Sequence, residues 1–290
     1  GPEALNERKK QICLLQAQNA SRRINWIENN QYFYQHVGSL LKFIAGEVRT
    51  ALHFRSEVGY LLSLIRPSER SLGIELTKEM VQAAESRFPE LSFVVGDPEE
   101  YSVEEQYDLI LLSNPQDTVD LLKTFINARK ACNDSSRFLI YYYSRWWRPI
   151  TIAAERLGFK VPLHEPNWFG QAEVRTWLEL SNFELLRTYR IILMPIYIPF
   201  LSEFVNRFIA PLPFINRICM ISVSVGRPKP KPFDIRDLQV SVIVPCKNES
   251  GNILPAVQRM PEMGKGVEII FCDDRSTDTT KLEIEQAIAE

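Results

Sequence analysis

Between residues 48 and 143, short apolar runs alternate with helix-patterned segments, and this alternation constrains the chain more than any other feature. The pattern predicts strands over 48–54, 71–76, 91–95, 107–112 and 137–143. Helices are predicted over 59–65, 77–87 and 117–131, with Pro67 ending the first and Thr77 capping the second. The run Tyr107-Asp108-Leu109-Ile110-Leu111-Leu112 is almost continuously apolar, as a strand covered on both faces must be. Strands separated by helices at this spacing pair in parallel, and right-handed crossovers then leave an α/β, doubly wound sheet. Helices over 150–157 and 171–180 and strands over 183–193 and 219–225 extend it to seven mostly parallel strands.

The flanks read differently. Residues 1–29 are rich in Gln, Asn, Lys and Arg and form a helical lead-in. The α/β domain proper runs over 30–226. It opens with an amphipathic helix on which Tyr32, Phe33, Val37, Leu40, Leu41 and Ile44 recur at helical spacing. The run Arg227-Pro228-Lys229-Pro230-Lys231-Pro232 begins a stiff linker over 227–238. A second α/β piece follows over 239–290, with strands at 240–245 and 267–272.

Composition removes several function classes. The net charge is −2, and no basic stripe is interleaved with aromatics, so nucleic acid is not an expected partner. Five cysteines without a C-x-x-C pair and only three histidines give no metal site and fit a reducing cytoplasm. The apolar stretch over 191–209 is broken by Pro195, Pro199, Glu203 and Arg207, which excludes a membrane-spanning helix. Two readings of 191–216 remain open. One is a cap over the sheet; the other is a membrane-surface contact, at the inner face, serving a lipid-linked substrate.

The first strand-turn-helix is where a dinucleotide-type fold binds its ligand. That loop needs glycines, because the backbone must turn sharply and approach the ligand closely. Here it reads Ala51-Leu52-His53-Phe54-Arg55-Ser56-Glu57-Val58-Gly59-Tyr60-Leu61-Leu62. Together with Gly73-Ile74-Glu75-Leu76, Val94-Val95-Gly96-Asp97, 107–113 and Ala210-Pro211-Leu212-Pro213-Phe214-Ile215-Asn216-Arg217, it resembles a class I SAM-dependent methyltransferase. The resemblance is to the form fused in bacteria to a family-2 glycosyltransferase, and it covers roughly residue 24 to the end of the chain.

The resemblance implies a Rossmann-like fold with S-adenosylmethionine (SAM) as cofactor and an acidic residue followed by G-x-G-x-G in the loop. This chain departs from that pattern: His53 stands at the acidic place, Arg55 and Glu57 at the first two glycine places, and only Gly59 remains. Non-glycine residues there strain the turn, at about 1–2 kcal/mol each, and their side chains enter the space of the methionine end. Weakened or lost SAM binding is expected. The alternative is that Arg55 and Glu57 pair with each other and leave a remodelled, usable pocket in an active methyltransferase. An NAD-type dehydrogenase needs the same missing glycines.

Gly59, Glu75, Asp97 and Ser113 are the implied cofactor residues: Glu75 for the ribose, Asp97 beside the adenine, and Ser113 with Asn114 at the carboxyl edge of the sheet. Each has a plainer structural reading, as a strand end, a helix cap or turn chemistry. Tyr142, Tyr143, Trp147, Asn167 and Trp168 are candidates for lining a substrate pocket, with His164 near them in sequence. No residue stands out as a catalytic base.

The second piece carries Val240-Ser241-Val242-Ile243-Val244-Pro245-Cys246-Lys247-Asn248-Glu249 and Ile269-Ile270-Phe271-Cys272-Asp273-Asp274-Arg275-Ser276-Thr277-Asp278. These two motifs, in order, resemble the opening of a family-2 glycosyltransferase with the GT-A fold. The resemblance implies that Pro245, Glu249, Asp273 and Asp274 hold part of a nucleotide sugar. Arg275 departs from the small residue usual at its place. The rest of the glycosyltransferase domain is then an expected partner, with a small-molecule, sugar or lipid-linked glycan as substrate.

Overall fold

The computed structural model describes residues 2–156, 167–230 and 234–289. The chain divides into two compact units, Gly1–Lys229 and Pro230–Glu290.

In the first unit, helices α1 (Pro2–Asn29) and α2 (Gln31–Ala45) precede strand β1 (Thr50–Phe54). Then come α3 (Tyr60–Ile65), β2 (Arg70–Glu75), α4 (Lys78–Arg87), β3 (Ser92–Val95) and β4 (Tyr107–Ser113). They are followed by α5 (Leu121–Lys130), β5 (Cys132–Tyr143), α6 (Arg148–Arg156), α7 (Gln171–Leu180) and β6 (Phe183–Ile191). The short α8 (Leu201–Phe204) and strand β7 (Ile221–Pro228) complete it.

The seven strands are ordered β3-β2-β1-β4-β5-β7-β6. The first five run parallel, and β7 is antiparallel to both its neighbours. The strand order reverses between β1 and β4, so a crevice opens there at the carboxyl ends of the strands.

Side chains on successive strand residues point to opposite faces, and β5 divides the core accordingly. Phe138, Ile140 and Tyr142 pack with Phe125 of α5 and Val174 and Leu178 of α7. Leu139, Tyr141 and Tyr143 face Val37 and Leu41 of α2 and Leu62 of α3. Both faces of the sheet are therefore covered, which is why β4 can be nearly all apolar.

Local chemistry sets most boundaries. Thr77 caps α4 by accepting from the Met80 amide at 3.4 Å. Gly46, at φ 65°, ends α2. The helix expected over 117–131 starts later. Pro115–Asp117 forms a separate 3-10 turn, and Asp120 caps α5 by accepting from the Lys123 amide at 3.1 Å. Strand β7 runs on through Pro228, which pairs with Phe183, so Arg227 and Pro228 belong to the sheet rather than to a linker. The helix expected over 150–157 begins at Arg148; position 157, like His164, lies outside the described residues.

The second unit holds β8 (Gln239–Cys246), α9 (Ile253–Gln258), β9 (Gly266–Asp273) and α10 (Thr280–Ala289). Its two strands pair in parallel, with Cys246 opposite Asp273.

Candidate functional site

The loop from β1 to α3 keeps a glycine-loop backbone without the glycines. Arg55, Glu57 and Gly59 lie at φ 60°, 51° and 78°, so all three glycine places are left-handed. L-residues adopt that region at a steric cost that glycine escapes. At Gly59 a Cβ would sit 2.5 Å from Phe93 Cζ, so a side chain there would displace that ring as well as strain the turn.

The side chains added at 55 and 57 go to separate partners. Arg55 is buried, with Nε 3.8 Å from Glu75 Oε1 and Nη2 3.7 Å from Asp117 Oδ2. Burial works against its charge, but Glu75 and Asp117 outweigh burial and hold the guanidinium protonated above its ordinary value. Glu57 turns the other way. Its Oε1 accepts from Arg23 of α1 and from Asn114 Nδ2, each at 2.6 Å.

Glu75 ends β2 with 1% of its surface exposed. Its carboxylate accepts from the Glu57 amide at 2.9 Å and the Leu76 amide at 2.8 Å, and it faces Arg55 as well. Across the crevice, His53 Nε2 shares a hydrogen bond of 2.8 Å with Ser113 Oγ. Burial lowers the pKa of His53 to about 3, so the ring is neutral.

Helix α1 reaches the same edge of the sheet. Lys9 pairs with Asp97, and with Glu99 at 3.0 Å. Burial opposes the Lys9 charge, yet the hydrogen bonds it donates to the two acids raise its pKa above the ordinary lysine value. Asp97 also accepts from the Glu99 amide at 2.9 Å, the turn chemistry that was its plainer reading. Between Lys9, Ile12, Arg55, Asp97, Asp117 and Thr118 a cavity of about 10 Å³ is left, no more than the space of one water.

In the second unit the ends of β8 and β9 form an exposed acidic corner. The Asp274 amide donates to the Cys246 carbonyl at 3.0 Å, and Lys247 Nζ lies 3.1 Å from Asp274 Oδ2. Asp273 accepts from Ser276 N–H at 3.2 Å. The Glu249 amide donates to Thr280 Oγ1 at 2.8 Å, and the Glu249 carboxylate accepts from Asn252 Nδ2 at 2.7 Å. Arg275 sits at φ 55°, so the residue that departs from the usual small one occupies a strained, left-handed place.

The fold of the first unit has known counterparts. A SAM-dependent methyltransferase from Thermotoga maritima superposes with a TM-score of 0.58 at 14% identity, covering 75% of this chain and 100% of that one. A protein solved as the DhpI–SAH complex gives 0.52 at 12% identity, covering 77% and 98%. An S-adenosylmethionine-dependent methyltransferase from Clostridium acetobutylicum gives 0.50 at 12%, covering 69% and 92%. The first unit has the class I SAM-methyltransferase fold. Residues 241–289 match the family described as glycosyl transferase family 2. No curated protein sequence matches the chain. A methyltransferase-fold unit is thus followed by a segment that matches the glycosyl transferase family 2 model.

Within the methyltransferase fold, Gly59, Glu75, Asp97 and Ser113 all fall at the carboxyl edge of β1 to β4, beside Arg55 and His53. The pairing of Arg55 with Glu57, on which the alternative reading depended, is replaced by Arg55–Glu75 and Glu57–Arg23. The aromatic candidates separate. Tyr142 faces the opposite side of the sheet, its hydroxyl 3.1 Å from Ser224 Oγ, because it alternates with Tyr143 along β5. Tyr143 and Trp147 line an apolar cavity. Asn167 braces the loop after β4 by donating to the Thr118 carbonyl at 3.2 Å, and Trp168 packs on the core.

Lys9 and Arg23 were not legible as site residues. The signal was present in the stripe Ile12, Gln16, Ala20, Arg23 and Ile27, which lies on one face of a helix, but its mixed polarity hides it from a hydrophobicity scan. Among the described residues, no group of three or more His, Cys, Asp or Glu side chains could hold a metal ion, and no helix is long and apolar enough to cross a membrane.

Proposed function

We propose that the methyltransferase-fold unit is a non-catalytic module whose cofactor cleft is filled by its own side chains. It supports the family-2 glycosyltransferase segment in glycan or glycolipid synthesis. The observation that carries this reading is the Arg55 guanidinium lying against Glu75. SAM needs that carboxylate for its ribose hydroxyls, but here it is committed to two backbone amides and a buried cation. Lys9 engages Asp97 in the same way, and the remaining space of about 10 Å³ holds no nucleoside. The residues present do not fit the cofactor, so no methyl-transfer step follows from them.

In the second unit, Pro245, Glu249, Asp273 and Asp274 supply the partial corner for the base and ribose of a nucleotide sugar, with the remainder of that domain as partner. The acceptor is a small-molecule sugar or a lipid-linked glycan, brought to the inner face of a membrane through 191–216.

Thermal unfolding of the purified chain with SAM or S-adenosylhomocysteine tests the reading. A ligand that binds only the folded state raises Tm, by linkage worth about 2.7 kcal/mol at a hundredfold excess over Kd. No rise is expected with either compound. A rise of several degrees would replace this reading with an active enzyme that has a remodelled loop.

A further inference from the structure

The segment from Leu193 to Cys219 is built inside out. Its polar side chains turn inward and satisfy its own backbone. Ser202, fully buried, accepts from the Ile198 amide and donates to the Ile196 carbonyl, each at 2.7 Å. Asn206 accepts from the Leu193 and Met194 amides at 2.8 and 2.9 Å and donates to the Met194 carbonyl at 2.8 Å. Asn216 donates to the Arg190 and Ala210 carbonyls at 3.1 and 3.2 Å.

The apolar side chains point outward instead: Phe200 is 90% exposed, Phe214 78% and Ile196 71%, with Phe204, Phe208 and Tyr197 also exposed. A segment that spends its polar groups on its own backbone and offers aromatics outward is suited to lipid, where exposed backbone has no water to bond. Its charges fit an anionic surface. Glu203 is its single acid, and Arg207 and Arg217 lie 5.6 Å from the rings of Phe208 and Phe214. A long cationic side chain beside an apolar ring can keep its charged head at the headgroups while the ring enters the lipid.

A cavity of about 550 Å³ adjoins this surface, within the range of small-ligand sites. Trp26, Phe33, Tyr143, Trp147, Ile196 and Met220 line it, so Ile196 belongs to both the surface and the cavity wall. Trp147 Nε1 donates to the Ile218 carbonyl at 2.7 Å, which fixes its indole as a wall, and Asn29, Asn30 and Thr151 add a polar part to an otherwise apolar lining. The cavity is separate from the small space between Lys9, Arg55 and Asp97, which different residues line.

We propose that 193–219 seats on an anionic bilayer and that the adjoining cavity takes one hydrocarbon chain of a membrane lipid. This rests on the reading that 191–216 meets a membrane, and it adds the headgroup charge and the chain site.

The test has two arms, both on the whole chain. In flotation, the protein partitions onto vesicles containing phosphatidylglycerol and less onto pure phosphatidylcholine. The pair Phe200→Ser and Phe214→Ser lowers partitioning at least tenfold, and Arg207→Gln with Arg217→Gln lowers it on the anionic vesicles alone. In the second arm, without vesicles, a dansyl-labelled undecanoic acid binds at micromolar concentration and Ala154→Trp, in the cavity wall, weakens it at least tenfold. Brominated decanoate quenches the tryptophan fluorescence of the unaltered chain, and Trp147→Phe lessens that quenching, a readout independent of whether the blocked variant folds. Displacement of the dansyl probe by phosphatidylglycerol or by a polyprenyl phosphate tells an acyl from an isoprenoid chain. No flotation of the unaltered chain sinks both the membrane reading and this proposal. Flotation with no chain binding, or with displacement by neither lipid, overturns the chain site and leaves the membrane reading standing.

Discussion

Arg55 Nε lies 3.8 Å from Glu75 Oε1, and both side chains are almost wholly buried. Two strand ends that a nucleotide would bridge are thus joined by a residue standing at a glycine place. The backbone still turns as if glycine were there, with Arg55 at φ 60°, so the substitution carries a steric cost and an ionic gain at one position.

Replacing that residue separates the two effects. Arg55→Gly removes about 1 kcal/mol of backbone strain but leaves the buried Glu75 carboxylate without its cation, a loss of about 3–5 kcal/mol. A net loss of about 2–4 kcal/mol in urea unfolding is expected from these opposed terms. Adding Glu75→Gln should recover part of it. Unchanged stability in Arg55→Gly would show that the ion pair contributes nothing.

At position 57 the backbone term can be read alone. Both Glu57→Ala and Glu57→Gly lose the bonds to Arg23 and Asn114, but only alanine keeps a Cβ at φ 51°. The glycine variant should be more stable than the alanine variant by about 1 kcal/mol. Equal unfolding midpoints would mean that the loop relaxes out of the left-handed region.

Helix α1 is predicted to depend on its charged tether. Lys9→Met removes the cation that faces Asp97 and Glu99. Because these groups are only partly shielded, a loss of about 1–2 kcal/mol is expected, below the cost of breaking a fully buried pair. Hydrogen exchange should accelerate in α1 while β4 and β5 stay protected. Acceleration spread evenly over the unit would place the role of Lys9 elsewhere.

The sheet was legible because its signals are local: period-two and continuous apolar runs, Thr77 as a cap, Pro67 as a stop. Four of the five parallel strands fall within two residues of their predicted ends, and β5 begins five residues early, at Cys132. The start of α5 was missed because Asp117 is drawn out of the helix pattern into the buried network with Arg55, and Asp120 takes over the cap. That Arg55 and Glu57 stand where the resemblance puts glycines could be read directly, but their partners could not. Arg23 is 34 residues from Glu57, and Glu75 is 20 from Arg55, so only the tertiary fold brings them together. The alternation of Tyr142 and Tyr143 was readable in principle, because any strand sends neighbours to opposite faces.

His53 gives a pH signature. Its folded pKa, about 3, lies below the ordinary value of 6.5. Between those values the unfolded chain binds more protons, so the contribution is complete above about pH 6.5 and is lost as pH falls toward 3. From pH 6.5 to 5 the loss is roughly 1.5 kcal/mol. His53→Gln should flatten that part of the stability profile, read by denaturant unfolding at each pH. An unchanged slope would mean that His53 titrates alike in the folded and unfolded chain.

The central claim, that the methyltransferase fold has filled its own cofactor cleft, meets its most direct test in isothermal titration of the unaltered chain with S-adenosylhomocysteine and SAM. The account predicts no saturable heat, with any affinity weaker than about 1 mM, or −4.1 kcal/mol. A single-site isotherm in the micromolar range would contradict it, because Arg55 and Lys9 would then have to leave Glu75 and Asp97 to a ligand.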